Sequence, residues 1–486
     1  MLASPFGNIV SIRRSLVFSS LDRYASLFIS IVSSMVIARL LTPADIGVFS
    51  VTMVLLTFVA TLRDMGAGGY LVQEKELTND RIRAVWAVQL GLGLALGLLV
   101  FAASVPVAAF YNDLRMRDIM FVAAANYVIN PFGSLTYAWQ IREMRFEALA
   151  FVRFCSTLAG ALISIYLAWI DMGPISLAYG ALASTIVNAL MAVYFRPKWF
   201  PWLPGLKEIR RVLAYGSQTT GAAMFHTLGA STAELVLGKM QGMLATGLYS
   251  RASGLVGMFH RLVLSGISSV AISWFAKQSR EHGSIGQPFL KATSYVTAIG
   301  WSFSFGLVFL AHPAIRLLYG DQWDAAGDVT RLLAIALALG MPVAMCNTVL
   351  MATGAVNRVL RITAITTVIT VVCTIIGATF GLLTLGMWLV FASLVQSVLW
   401  LRTTQSELQF DWLDLTRTLR ESALVSAASA VVPALVFLAY GSRPENIWLP
   451  LAIGIPGATA GFIVAVIWLN HPLNVEFQAI KHKFIG

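Results

Sequence analysis

The chain reads as an all-α polytopic membrane protein of about 14 transmembrane helices: two six-helix lobes related by a parallel repeat, plus two extra C-terminal helices. Composition is the first indication. Of 486 residues, 58% are hydrophobic and 12% charged, whereas soluble domains carry roughly 25% charged residues. Mean hydropathy is +0.76. The second is pattern: apolar blocks of about 18–25 residues recur along the whole chain, each long enough to cross a hydrocarbon core about 30 Å thick. A transmembrane β-barrel would instead show short alternating segments.

In order, the first span is expected at about 16–39, behind Arg13 and Arg14. That pair faintly resembles a twin-arginine signal, but no small-residue cleavage site follows, so it reads as the inner flank of an uncleaved helix. Further spans are expected near 46–65, 84–110, 118–139, 147–170 and 174–195, closing a first lobe at residues 1–196. A basic connection, residues 197–210, comes next; its Trp199 and Trp202 suit the membrane interface and its length suits a hinge. The second lobe, 211–402, holds spans near 211–238, 244–275, 289–311, 329–352, 358–379 and 381–401. Residues 403–486 supply an amphipathic connection and spans near 419–440 and 446–469. "GLGLALG" at 91–97 has the spacing of helix packing, not of a nucleotide loop.

The formal net charge is +11. In a membrane protein this reflects Lys and Arg collecting in cytoplasmic loops, and no nucleic acid is implied. With both termini cytoplasmic, Arg81, Arg83, Lys198, Lys207, Arg210 and Arg211 fall on the inner side, and far fewer basic residues face outward. Cys155, Cys346 and Cys373 lie scattered in apolar blocks, which argues against a disulfide framework and a metal site.

Two regions about 200 residues apart look alike. "RRSLVFSS" at 13–20 aligns with "RRVLAYGS" at 210–217, and "ARLLTPADIGVFS" at 38–50 with "GKMQGMLATGLYS" at 238–250. Gly47 then meets Gly247, and Ser50 meets Ser250. Six spans precede the second copy, so the copies share one orientation, a transporter device that places the substrate between two lobes.

Ionised side chains inside spans are costly and mark function. At 100° per residue, Asp22, Arg23, Ser26, Ser30 and Ser33 share a face of the first span. Ser50, Thr57, Thr61 and Asp64 share one in the second, Ser231 and Glu234 in the seventh, and Arg251, Arg261, Ser265 and Ser268 in the eighth. Arg63 and Arg153, near inner ends, are expected to snorkel. Arg23, Arg251 and Arg261, with Ser26 and Ser265, become the candidate substrate contacts of a mildly cationic cleft, since guanidinium groups suit phosphate. Asp22, Asp64 and Glu234 become the candidates for ion coupling by proton or sodium. Pairing of these acids with the arginines to lock helices is the competing reading. No cofactor is implied. Asp321, Asp324 and Asp328 read as a solvated loop, with no phosphate-binding loop or His-Glu metal helix to suggest an enzyme.

"ARLLTPADIGVFS", "DMGAGGYLVQEKEL" after the second span and "YGSQTTGAAM" opening the second half resemble the polysaccharide transporter branch of the multidrug/oligosaccharidyl-lipid/polysaccharide exporter superfamily. The resemblance covers nearly the whole chain. It implies a flippase carrying undecaprenyl-pyrophosphate-linked oligosaccharide from the cytoplasmic to the periplasmic leaflet of a bacterial inner membrane. Such a protein would serve lipopolysaccharide, capsule or exopolysaccharide synthesis, alongside polymerase and chain-length or export proteins. Related flippases of lipid-linked peptidoglycan precursors use arginines in the first and eighth helices, comparable to Arg23, Arg251 and Arg261 here. The alternatives are a cation-coupled drug antiporter of the same superfamily and a membrane polysaccharide polymerase.

The charge distribution generates a direct test of orientation. Reporter fusions after Lys75, Lys207 and Lys483 should report the cytoplasm, and those after Asp324 and Glu445 the opposite side. A fusion after Lys207 that reports the outside would refute the parallel repeat.

Overall fold

The computed structural model describes residues 24–64, 67–282, 285–476 and 478, with the backbone alone at 64, 215–228, 230, 269 and 282. The described residues form helices and connections, with no strand among them. In chain order the helices of the first half are α1 (Tyr24–Leu40), α2 (Pro43–Asp64), α3 (Ala67–Gln73), α4 (Asn79–Tyr111), α5 (Arg115–Arg142), α6 (Phe146–Trp169), α7 (Ile175–Tyr194) and α8 (Ile209–Met240). Then come α9 (Gly242–Phe259), a π-helical turn at His260–Leu264, α10 (Ser265–His282) and α11 (Gly286–Tyr319). The rest are α12 (Ala326–Gly340), α13 (Cys346–Ala352), α14 (Val356–Phe380), α15 (Leu382–Leu408), α16 (Trp412–Tyr440) and α17 (Trp448–Trp468).

Among the described residues, 12 helical segments are long and apolar enough to cross a membrane. They coincide with twelve of the sequence-derived spans; the other two positions hold the apolar α1 and the 32-residue α8. Helices are the expected solution, because lipid offers the backbone no hydrogen-bond partner. Two spans are interrupted. The eighth runs Gly242–Glu281 through the π-turn, and the tenth, Ala326–Ala352, breaks at a 3₁₀ turn containing Pro342. At α16 the helix begins at Trp412, because the Asp411 carboxylate caps it by accepting from the Leu413 N–H at 3.0 Å. The amphipathic stretch expected before residue 419 is thus its first turns.

The chain divides into two compact units, Met1–Gly247 and Leu248–Gly486. In the first, α4 packs on α5 through Gly93 and Gly97, where a β-carbon would lie 2.6 Å from the Tyr127 carbonyl and 3.2 Å from that of Ala124. The "GLGLALG" run is therefore packing surface. The connection after α7 is clamped to α4. Arg83 Nε donates to the Leu203 carbonyl, Trp86 Nε1 to that of Trp202, and Gly205 N to that of Arg83. Arg196, buried, lies 4.1 Å from the Trp202 ring and 5.2 Å from Trp86, with Nη2 donating to the Pro201 carbonyl. In the same unit, Glu74 pairs with Arg81 and Arg211. A hydrogen bond from Tyr70, then those cations, hold the Glu74 carboxyl below the usual range, and burial with this carboxylate pushes the phenol up to about 12.

The tightest backbone approach in this unit joins α2 to the start of α9. A β-carbon on Gly47 would sit 1.8 Å from the Met243 carbonyl oxygen, and one on Gly247 1.8 Å from that of Pro43. The contact is reciprocal, residue for residue, at the two positions that the internal alignment superposes.

The second unit centres on α11, α16 and α17, joined by small hydroxyls. Thr297 donates to Ser422 at 2.9 Å, and Ser429 to the Ala458 carbonyl at 2.9 Å. His471, just past α17 and 2% exposed, has Nε2 3.0 Å from Ser294 Oγ, while its Nδ1 accepts from the Leu473 N–H. That pattern assigns the neutral Nε2–H tautomer.

These contacts can be tested in two ways. Gly47→Ala or Gly247→Ala should cost about 3 kcal/mol or abolish the folded protein, since a backbone carbonyl must move. Gly91→Ala, with no atom within 4 Å of the new carbon, should melt like wild type. Secondly, burial pushes the His471 imidazole down to about 4. A folded pKa below the unfolded value of about 6.5 means the unfolded chain binds the extra proton, so this stability is present above about pH 6.5 and is lost as pH falls towards 4. The melting midpoint should fall through that window, and His471→Asn should flatten the slope.

Candidate functional site

Asp22 and Arg23 lie outside the described residues, as does the side chain of Asp64, which ends α2. Ser26 is half-buried on α1. Glu234, on α8, accepts from the Ser50 hydroxyl of α2 at 3.0 Å, so two polar faces expected from separate spans do meet. On the same helix, Lys239 Nζ donates to the Phe110 carbonyl and lies 4.2 Å from its ring.

The eighth span holds the two described arginine candidates. The Arg251 guanidinium stacks 5.3 Å from the Tyr319 ring and 5.5 Å from the Trp323 ring, both of them fully buried. Aromatic faces hold a weakly hydrated guanidinium without neutralising it. Arg261 stands exposed on the π-turn, and its Nη2 donates to the Gly254 carbonyl at 2.8 Å. The wide turn inserts a residue, which rotates the remainder of the span by about 100° from α-helical register. Ser265, half-buried, directs its hydroxyl to the Arg261 carbonyl at 2.8 Å. The structure brings Arg251 into an aromatic seat and leaves Arg261 exposed further along the same helical rod, its side chain reaching back to Gly254.

A second feature escaped the helical-face reasoning. In the first unit, α2–α5 and α7 enclose a polar cavity of about 660 Å³. Its wall contains Arg63, Gln73, Gln89, Asn130, Tyr137 and Asn188, with the hydroxyls of Ser134, Ser184 and Thr185 between them. Arg63, expected to snorkel, stands in this wall, 5.7 Å from the Tyr127 ring, and also lines an adjoining void of about 170 Å³ beside Asn126. Arg153 Nη2 donates to the Tyr137 hydroxyl at 2.6 Å, which fixes that ring. Gln89 is 8% exposed, and its Oε1 has no hydrogen-bond partner. The signal was present in the sequence: Asn130, Ser134 and Tyr137 form a polar stripe at i, i+4 and i+7 along α5, and Ser184 and Asn188 at i and i+4 along α7.

The second unit holds the opposite kind of space, an apolar cavity of about 420 Å³ walled by Leu255, Phe303, Leu307, Leu451, Ile455 and Phe462. Elsewhere in this unit, Asp328 pairs with Arg331 at 2.7 Å and Arg443 at 2.8 Å, and Asp324 lies 3.3 Å from His312 Nε2. Asp324 also lies 3.9 Å from Arg316 Nε, so both acids face arginines. Among the described residues no group of three His, Cys, Asp or Glu could hold a metal ion, and the three cysteines are free thiols.

Residues 36–328 match the family model described as polysaccharide biosynthesis protein. The succinoglycan biosynthesis transport protein ExoT of Rhizobium meliloti (strain 1021) is 26% identical over 352 residues, covering 71% of this chain and 69% of its own. The lipopolysaccharide biosynthesis protein WzxC of Escherichia coli (strain K12) is 22% identical over 311 residues, 63% of each chain. The chain thus spans about two thirds of the length of these curated relatives. Among solved structures, the lipid II flippase MurJ in an inward closed conformation matches with a TM-score of 0.76 and 14% identity, over 94% of this chain and 98% of that one. An inward-facing MATE family transporter of the MOP superfamily matches at 0.65 and 15% identity, over 79% and 94%. At such identities the likeness concerns the fold, which is the all-helical membrane fold that the sequence predicts.

Proposed function

This chain belongs to the polysaccharide biosynthesis protein family, and we propose that it is a flippase moving a polyprenyl-pyrophosphate-linked oligosaccharide from the cytoplasmic to the periplasmic leaflet by alternating access. The proposal places it in a bacterial inner membrane with both termini cytoplasmic. The observation that carries it is Arg251, a guanidinium on a membrane-length helix seated against Tyr319 and Trp323, on the rod that continues to Arg261. A pyrophosphate leaving the headgroup zone needs positive charge along its route, and an arginine steadied by aromatic faces supplies such charge at a fixed place. Arg23, with Ser26 and Ser265, completes the proposed contacts. The apolar cavity walled by Leu255, Phe303 and Phe462 suits a hydrocarbon chain, which fits a substrate with one polar and one greasy end. Glu234, joined to Ser50, is the described member of the proposed ion-coupling set, with Asp22 and Asp64. The families and folds matched are those of transporters and flippases, in line with a protein that does no bond chemistry.

The test is polysaccharide display at the surface of a deletion strain, with membrane abundance measured for every variant. Arg251→Ala and Arg261→Ala should each lower display about tenfold, the loss of one charge-assisted phosphate contact. Arg251→Lys should fail as well if the planar stack matters, while Arg261→Lys should retain activity. Normal display by the combined Arg23→Ala, Arg251→Ala and Arg261→Ala variant would refute the cationic route. Restored display when an acid is removed together with Arg23 would assign that arginine to a structural ion pair.

A further inference from the structure

The arginine route handles phosphate and leaves the polar cavity of the first unit without a task. Its volume of about 660 Å³ falls in the range of small-molecule sites, about 300–1,000 Å³. Its chemistry is specific. Four amides, Gln73, Gln89, Asn130 and Asn188, each carry a donor pair and an acceptor, the complement of neighbouring sugar hydroxyls. Ser134, Ser184 and Thr185 add groups that donate or accept as required. Tyr137 offers a ring, held by the hydrogen bond from Arg153, against which an apolar sugar face can lie. Arg63 contributes a guanidinium, and the described wall contains no carboxylate.

Gln89 supplies the second, independent observation. It is more than nine-tenths buried, it stands in the cavity wall, and its Oε1 lacks a hydrogen-bond partner. A buried amide acceptor left unmatched is costly, and the Gln89 side chain must turn to bring it to a ligand hydroxyl. Pro131 in the same wall interrupts the α5 ladder, and on the α3 side Gly68 and Gly69 line the cavity beside Val72 and Gln73. Gln73 is exposed, so the cavity communicates with the outside at that end.

We propose that this cavity is a glycan-binding site, seating one or two sugar residues of the oligosaccharide and placing an acidic substituent, such as a uronate carboxylate, on Arg63. The source of the sugar rests on the flippase reading; the binding does not. A drug cation or metal ion is disfavoured by a wall whose described charge is positive. A pyrophosphate would call for more than one cationic side chain. Sugar recognition here gives the transporter selectivity for its own glycan, at a place separate from the phosphate contacts.

The test uses full-length protein purified in detergent, with four probes: a glucuronic-acid-containing disaccharide, its neutral parent disaccharide, inorganic pyrophosphate and sodium chloride. Binding is read by the thermal unfolding midpoint. It is read independently by the rate of thiol labelling at Ser184→Cys in a Cys155→Ala background, the other two cysteines being buried. The acidic disaccharide should raise the midpoint and slow labelling, and the neutral one should do so more weakly. Arg63→Gln should erase the difference, an about tenfold loss for the acidic probe, and Gln89→Leu should weaken both sugars. The proposal is overturned if neither disaccharide protects, if pyrophosphate or sodium alone protects, if the two sugars bind equally, or if both variants bind as wild type does. Because the readout needs no transport, a protein that binds acidic sugar yet exports nothing in cells refutes only the flippase reading. One that exports yet binds no sugar refutes only this site.

Discussion

Hydrocarbon offers the backbone no hydrogen-bond partner, and every other feature of this protein is arranged around that constraint. It makes the chain helical wherever it crosses, and it makes an unmatched polar side chain inside a span costly. The small hydroxyls between α11 and α16 are matched: Thr297 to Ser422, and Ser302 to the Ala298 carbonyl of its own helix. Glu234 and Ser50 are matched across α8 and α2. Polar groups that depart from this economy are then informative. Gln89 Oε1, on the side chain of a cavity-wall residue, is one such group among the described residues.

The helices are legible in the sequence because their cause is local. An apolar block of sufficient length must cross, and its ends are marked by charge, so the spans read from composition coincide with helices of the structure. The reading of "GLGLALG" as packing holds for a related reason: small residues one turn apart imply close approach, and α5 is found there. Breaks within spans are harder to read. The π-turn at His260–Leu264 has no glycine or proline to announce it, and it alters which residues share a face with Arg251. The start of α16 at Trp412 depends on the single Asp411 cap, a signal smaller than the hydropathy window used to find spans.

The polar cavity is invisible to reasoning about one helix at a time. Arg63 taken alone near a span end reads as a snorkelling residue. Its place in a wall emerges only when α4, α5 and α7 deliver Gln89, Asn130, Tyr137 and Asn188 to the same space. Each helix contributes a few polar residues, too few to raise the polarity of its own span. Arg196 is a parallel case. In sequence it adjoins a basic, tryptophan-rich connection that suits a hinge, yet in the structure its guanidinium lies among Trp86, Phe200 and Trp202. With Arg83 and Trp86 bonded to the same stretch, the connection is fastened to α4 along residues 202–205.

The two cavities differ in chemistry as the two ends of an amphipathic molecule differ. The space in the first unit is walled by amides, hydroxyls and a guanidinium, and that in the second by leucine, isoleucine and phenylalanine. A lipid-linked sugar has no single environment in which all its parts are content: its glycan loses hydrogen bonds in an apolar site, and its chain gains nothing in a polar one. Under the proposed function, separate sites would let each part keep a favourable environment while fixed positive charge met the phosphate, the most costly group to move. In that reading Arg251 would suit the task because the faces of Tyr319 and Trp323 fix its guanidinium in place through a ring quadrupole, which orients a cation without discharging it.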